Sequence, residues 1–341
     1  MQVRIHRAAV VVAASFALFL HASSLSRAAD TLPAQLTDAE YWKMISAFSE
    51  PNGYFQYPIV TSNEMSYQDA LPELMNIAKP GGAYLGVGPE QNFTYIAALQ
   101  PRIAFIIDIR RDMMLEHLMY KAMFEMSADR AEFVANLFAR KRPANLTADT
   151  PVAALFQAFA RAPADMMLAE RHLASIIAEL KTRHRFPLTA GDEAGIRAIY
   201  MTFVREGVVA FSSSFRSPGY TRLMTMTDGA GKNWSFLAAK ERYDRVRVMH
   251  HKNLIVPLTG DFAGPKALRM VGQYLKDHGA TVTVFYLSNV EDYIRAWSRY
   301  TSNIDSLPVD RSSVFMRWFT SGRTSVASIA DFVRAQGQRR Y

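Results

Sequence analysis

Residues 83–108 read AYLGVGPEQNFTYIAALQPRIAFIID, and this stretch decides the fold. Its first five residues are apolar and run into Gly86-Val87-Gly88. Residues 90–99 then carry Phe93, Ile96 and Ala97 at helical spacing until Pro101 breaks the pattern. Residues 103–109, IAFIIDI, are a near-continuous apolar run, the signature of a strand covered on both faces, as in a parallel sheet. Strand, glycine turn, helix and strand in so short a span make a βαβ unit.

The neighbouring sequence extends the alternation. Upstream, residues 30–50 predict a helix whose start is marked by Thr37 with Glu40, a capping box, and whose apolar face is Tyr41, Ile45 and Phe48. Pro51, Gly53 and Pro58 predict a loop over 51–63 with a short extended piece at Ile59-Val60, and a helix follows over about 66–78. Downstream, residues 112–206 are almost wholly helical in pattern, with starts at Thr150-Pro151 and at Thr189 with Asp192. That is too long for one crossover, so the expectation is a crossover helix plus a helical insertion over about 128–206. A strand near 208–211 resumes the sheet and residues 212–240 read as loop. A second run follows: a strand at 253–258, a turn at 260–264, a helix at 265–277, a strand at 281–287, a helix at about 290–300 and a last strand at 313–319. The expected architecture is α/β: a doubly wound, mostly parallel Rossmann-like sheet with a helical insertion, in one domain spanning 29–341.

Residues 1–28 read as a secretory signal peptide. Arg4 and Arg7 form the positive start, residues 8–20 the apolar core, and Ser26-Arg27-Ala28 the small-residue cleavage site. A periplasmic or secreted protein is the expectation. No later run of eighteen apolar residues suggests a membrane span. The chain has 341 residues, half of them apolar and 21% charged, which argues against disorder. With no cysteine, disulfides, thiolate nucleophiles and cysteine metal sites are excluded. Of the eight net positive charges, three (Arg4, Arg7, Arg27) lie in the leader, leaving +5. The remaining basic residues are dispersed and not interleaved with aromatic platforms, so no nucleic-acid partner is expected. No metal is expected either: His250 and His251 are adjacent, so their side chains diverge. The methionines between Met113 and Met126 read as core filling, and the absence of a GxSxG elbow argues against an α/β-hydrolase nucleophile.

In open parallel sheets ligands bind outside the carboxyl ends of the strands. That rule selects loops 86–92, 108–112, 258–264 and 287–291. Gly86 and Gly88 permit close backbone approach, the following helix offers free N–H groups, and Asp108 stands where an acid can accept bonds from ribose hydroxyls. With Glu90, Asn92 and Arg110, these form the expected cofactor-contacting set. Asp261, Asn289 and Glu291 are the candidates to face an acceptor. Asn63, Glu64, Tyr67 and Gln68 can either fold over this crevice or cap a helix. His117, Tyr120 and Lys121 share a helix face on which a His–Tyr pair can exchange protons, or which is simply packed.

The run GGAYLGVGPEQNFTYIAALQPRIAFIIDIRRDMMLEHLMYKAMFEMSADRAEFV, with SNEMSYQ before it and NLIVPLTGDFAGPKALRMVGQYL and TVTVFYLSNVE after it, resembles an uncharacterised bacterial family. That family's fold is similar to class I S-adenosylmethionine-dependent methyltransferases. The resemblance spans about residues 55–320. It implies S-adenosylmethionine as cofactor, with Gly86 and Gly88 approaching it through backbone and Asp108 holding its ribose. Two positions depart from the methyltransferase pattern: Tyr84 stands where an acid is usual and Glu90 where a third glycine is usual. They motivate an alternative, an exported small-ligand-binding or acid–base protein that has lost the adenosyl cofactor. In that case Glu90, Asp108 and Glu291 supply carboxylates, and Arg110 and Arg111 draw an anion. A third reading makes the helical insertion a partner-binding surface.

Overall fold

The computed structural model describes residues 30–57, 59–207 and 218–335. The expected signal peptide and the expected strand at 208–211 lie outside these residues. The described chain is a mixed α/β structure around one six-stranded sheet. Its strands are β1 (Ala83–Gly86), β2 (Ile103–Asp108), β3 (Ile255–Thr259), β4 (Val282–Ser288), β5 (Val314–Trp318) and β6 (Thr324–Ser328). They lie in the order β3-β2-β1-β4-β5-β6. The first five run parallel, and β6 pairs antiparallel with β5. The order reverses between β1 and β4, so the chain leaves β1 in one direction along the sheet and reaches β4 on its other side.

Burial explains the strands. Every residue of β1 and β3 is buried, as is β2 up to Asp108. Register puts Gly86 beside Ile106, and Asp108 beside Thr259, so those residues end their strands along one edge. β6 was not expected from sequence. Thr324–Ser328 is short and polar, and all five residues are only half-buried, so no apolar run announces it.

The helix after β1, Gln91–Leu99, is buried all round. The crossover helix Arg111–Met126 packs on β2 and β3, with helices Lys240–His251 and Ala190–Glu206 against it. Met113, Met114, Met119 and Met123 are buried along it. A second group contains helix Asp38–Phe48, packed on β3, with Ala267–Asp277 against it and Trp297–Asp305 beyond. The capping box expected at Thr37 with Glu40 forms, and the helix start expected at Thr189 with Asp192 is a capping box as well. The stretch read as insertion holds Arg130–Leu137, Val152–Ala160, Met166–Ala178 and Ala190–Glu206.

Boundaries shifted where propensity was weak. The first helix is shorter than 30–50. The expected 66–78 helix narrows to Leu71–Ile77 after tight turns, and 290–300 divides into a single 3₁₀ turn at Val290–Asp292 and the helix from Trp297. Helix Tyr220–Thr225 lies inside the loop expected over 212–240, and helix Lys240–His251, which begins at its end, was not anticipated: its face to solvent is strongly charged and only Tyr243, Val246 and His250 are buried. No helix among the described residues is long and apolar enough to cross a membrane.

Candidate functional site

The carboxyl ends of the five parallel strands are crossed by one stretch of chain, residues 49–57 and 59–66, which bonds at or just beyond each of these ends in the sheet's spatial order. At β3, Glu50 N–H donates to the Thr259 carbonyl (2.8 Å). Just past β2, Gly53 N–H donates to the Ile109 carbonyl (2.8 Å) and Arg110 donates to the Ile59 carbonyl (2.6 Å). Beyond β1, Thr61 Oγ1 donates to Glu90 Oε1 (2.6 Å) and Ser62 N–H to the same oxygen (3.2 Å). At β4, Tyr286 Oη donates to Glu64 Oε1 (2.5 Å), as does Ser288 Oγ. At the last residue of β5, Trp318 Nε1 donates to Ser66 Oγ (3.1 Å). The segment is a strap over the edge where an open parallel sheet binds ligands.

Beneath the strap the glycine turn is packed by its own chain. A Cβ on Gly86 would overlap Asn92 Oδ1 and stand 2.8 Å from Tyr84 Oη. Tyr84 donates to Asn92 Oδ1 (2.8 Å), and Asn92 Nδ2 donates to the carbonyls of Val87 (2.9 Å), Gly88 (3.1 Å) and Pro89 (2.7 Å). Gly86 is therefore small because Asn92 and Tyr84 fill its side. Gly88 has φ +78°, a conformation that costs an L side chain energy. Its carbonyl accepts from His117 Nε2 (2.9 Å), which fixes that imidazole as the Nε2–H form.

Around this turn lies a buried cluster of acids. Glu64, Glu90 and Glu116 are all at most 2% exposed. Burial pushes Glu64 and Glu90 up to about 7, against the hydrogen bonds each accepts, and pushes Glu116 well above the carboxylate range, with the charge of Glu90 adding to it. Burial pushes His117 down to about 4. Glu64 Oε2, Glu90 Oε2, Glu116 Oε1 and Gln91 Oε1 have no hydrogen-bond partner, nor do Arg110 Nε and His117 Nδ1. Native interiors pair nearly all such atoms, so a concentration of unpaired ones marks a functional or solvated spot. Ser288, which bonds Glu64, has φ +51°, strained for a non-glycine residue.

Asp108 ends β2 with its side chain 13% exposed. It accepts from Arg110 N–H (2.9 Å), with the Arg110 guanidinium at 4.0 Å. Burial raises its pKa, and Arg110 opposes the rise. The three acceptor candidates do not converge. Asp261 turns back onto Ala263 N–H (2.8 Å). Glu291 is clamped by Arg317 (2.5 and 3.0 Å) and Tyr300 (2.8 Å). Asn289 Oδ1 accepts from Ser288 Oγ (3.4 Å). The helix after β3 is capped by Glu50, which accepts from Lys266 and Ala267 N–H (2.8 Å each). Glu50 and Glu116 were missed in the sequence. Neither stands in a strand-end loop, and only Glu116's position one residue before His117 hinted at the buried face.

Lys121 of the His117–Tyr120–Lys121 face belongs to a different network. Its ammonium, 1% exposed, bonds Glu125 Oε1 (2.6 Å) and the His250 carbonyl (2.8 Å). His184 bridges Glu125 (2.6 Å) and Asp38 (2.8 Å). Glu125, Glu179 and His184 are close enough to hold a metal ion, but Lys121 and Arg183 already balance their charge.

The chain belongs to the family described as "Domain of unknown function (DUF7790)", which it matches over residues 59–181 and 205–339. That span contains Thr61, Glu64, Glu90, Asp108 and Glu116. No curated protein matches the chain.

Proposed function

We propose that this is an exported small-ligand-binding protein on a doubly wound, Rossmann-like sheet, in which a buried carboxyl cluster under the strap does the recognition and exchanges protons near neutral pH. The observation that carries this reading is the set of unpaired polar atoms on Glu64, Glu90, Gln91 and Glu116 at the switch between β1 and β4. The export half rests on the leader at 1–28.

An adenosyl cofactor fits these residues poorly. Such a ligand needs the glycine turn open to it, whereas Asn92 and Tyr84 cover Gly86 and Thr61 and Ser62 hold Glu90. Specific observations nevertheless favour S-adenosylmethionine as the second reading: the strand order, and Asp108 partly exposed at the end of β2. In that reading Asp108 would take ribose hydroxyls, with Arg110 beside it.

A thermal-shift screen of the mature chain separates the two. The panel holds small amines, neutral polar compounds, carboxylic acids, S-adenosylmethionine and S-adenosylhomocysteine, each at millimolar concentration. The expected result is a raised Tm with a non-adenosyl compound, reduced in Glu90→Gln. Stabilisation by the adenosyl compounds alone moves the conclusion to the second reading, and stabilisation by nothing sinks both. A mature N-terminus at Ala29 in the exported fraction, read by intact mass, is expected for the export half.

A further inference from the structure

We propose that the chain carries a second binding site, separate from the carboxyl cluster: a cavity of about 410 Å³ beside the end of β3 that takes a small organic anion, a carboxylate or phosphate bearing an apolar group. Four segments form its walls. Helix Asp38–Phe48 supplies Trp42 and Ile45, and the strap supplies Ser49 and Glu50. The crossover helix contributes its first residue, Arg111, and the turn after β3 contributes Lys266. Two bonds tie the strap wall to β3: Thr259 N–H donates to Ser49 Oγ (3.1 Å) and Glu50 N–H to the Thr259 carbonyl (2.8 Å). The volume falls in the range of small-molecule sites. The two neighbouring arginines part here. Arg110 bonds the Ile59 carbonyl of the strap, whereas Arg111 lines the cavity.

The uncommitted polar groups of these residues are donors. Arg111 Nε donates to Asp192 Oδ1 (2.7 Å), which leaves both terminal nitrogens of the guanidinium without a partner among the described residues. The Lys266 ammonium has none there either, since only its backbone N–H is bonded. Ser49 Oγ accepts from Thr259, so its own proton is available to a ligand. The acids, by contrast, are spent on helix starts. Glu50 Oε1 accepts from Lys266 and Ala267 N–H (2.8 Å each) and its Oε2 from Asp261 N–H (3.3 Å). Gly264 leaves room for it, because a Cβ there would overlap both carboxylate oxygens. Asp192 completes the capping box of Ala190–Glu206. Each acid offsets the positive end of its helix. The two cations also stand at helix starts, Arg111 opening the crossover helix and Lys266 directly before Ala267, where the dipole opposes a positive charge. An anion in the cavity relieves that opposition, with the guanidinium fork and the ammonium as its donors. Trp42, stacked on Phe186 (5.2 Å), and Ile45 give the apolar part of the ligand a wall.

Isothermal calorimetry on the mature chain tests this with benzoate, phenyl phosphate, inorganic phosphate and uncharged benzamide. Benzoate or phenyl phosphate is expected to bind, the tighter of the two identifying the head group, with inorganic phosphate weaker and benzamide weakest. Lys266→Met should raise the Kd about tenfold. Lys43→Met removes an exposed charge next to Trp42 but outside the cavity, and should leave the Kd unchanged. Glu90→Gln should leave it unchanged too, which separates this site from the carboxyl cluster. The bound ring should alter the indole emission of the wild type and not that of Trp42→Phe. If Lys266→Met does not fold, that emission change and its loss in Trp42→Phe decide. Benzamide binding as tightly as benzoate, or equal losses in Lys43→Met and Lys266→Met, overturns the proposal. So does a loss in Glu90→Gln with none in Lys266→Met, or no binding by any of the anions.

Discussion

Thr61 Oγ1 donates to Glu90 Oε1 at 2.6 Å, and this bond ties the strap to the turn after β1. Both residues are fully buried. The bond joins a loop residue to the position where a phosphate- or adenosyl-binding turn would place a third glycine. Replacing Thr61 by valine keeps the shape and removes the donor. The expected cost is about 1 kcal/mol. Hydrogen exchange should show residues 59–66 exchanging faster than in wild type while β1 and β2 stay protected. Unchanged exchange in the strap would mean that its other anchors hold it without Glu90.

Glu64 and Glu90 set a pH dependence of stability. Their folded pKa values, about 7, lie above the usual 4.5, so the folded protein holds protons that the unfolded chain has released. Their stabilisation is complete below 4.5 and is lost as pH rises through 7. Between pH 6.5 and 8 the Tm should therefore fall as pH rises. Below 6.5 buried neutral His117, held down to about 4, opposes the trend, because the unfolded histidine takes up a proton first. Glu64→Gln should flatten the slope above pH 6.5 and raise Tm at pH 8. Calorimetric melts across that range decide it, and an unaltered slope counts against the cluster.

Gly86→Ala should destabilise by about 1–3 kcal/mol, because the new methyl overlaps Asn92 Oδ1 and crowds Tyr84. Combined with Asn92→Ala, the alanine should cost less than it does alone. Urea denaturation of the two single variants and the double gives the coupling. Additive costs would refute packing as the reason for the glycine.

Lys121→Met leaves the buried Glu125 carboxylate without the ammonium at 2.6 Å, with His184 and Arg183 still on its other oxygen. Burial raises the Glu125 pKa, but His184 and Lys121 outweigh it and the net shift is downward. Its stabilisation is therefore present above the usual 4.5 and lost as pH falls further. The variant should lose about 3 kcal/mol at pH 7, and adding Glu125→Gln should recover part of it. Denaturant titration checks both.

Glu291→Gln should cost about 1–3 kcal/mol by weakening the clamp on Arg317. It should leave the pH slope above 6.5 unchanged, since Glu291 is engaged with β5 and Tyr300 rather than with Glu64 or Glu90. A changed slope would return Glu291 to the site.

What the sequence could reveal followed from local rules. The apolar run of β2 needs no partner to be recognised as a buried strand, and a capping box is complete within four residues. The switch-point geometry follows from the parallel pattern, so the edge that matters could be named before any contact was known. Within that edge Gly86, Gly88, Glu90, Asn92, Asp108 and Arg110 do lie together. Their roles were not legible. Asn92 looks like a ligand contact in the sequence and is the staple of the turn. Glu291 looks like a site acid and is half of an ion pair with a strand that follows it.

The sequence by itself determined five of the six described strands, the helix starts at Thr37, Pro151 and Thr189 and their order along the chain, because period, capping and turn chemistry act between residues a few positions apart. Only the tertiary structure decided which carboxyls lose water. Glu64, Glu90 and Glu116 come from three separate segments, and each is an ordinary surface acid until the strap and the crossover helix close over it. Desolvation is a property of the assembled neighbourhood, so the protonation and unmet hydrogen bonds of this cluster arise with the fold.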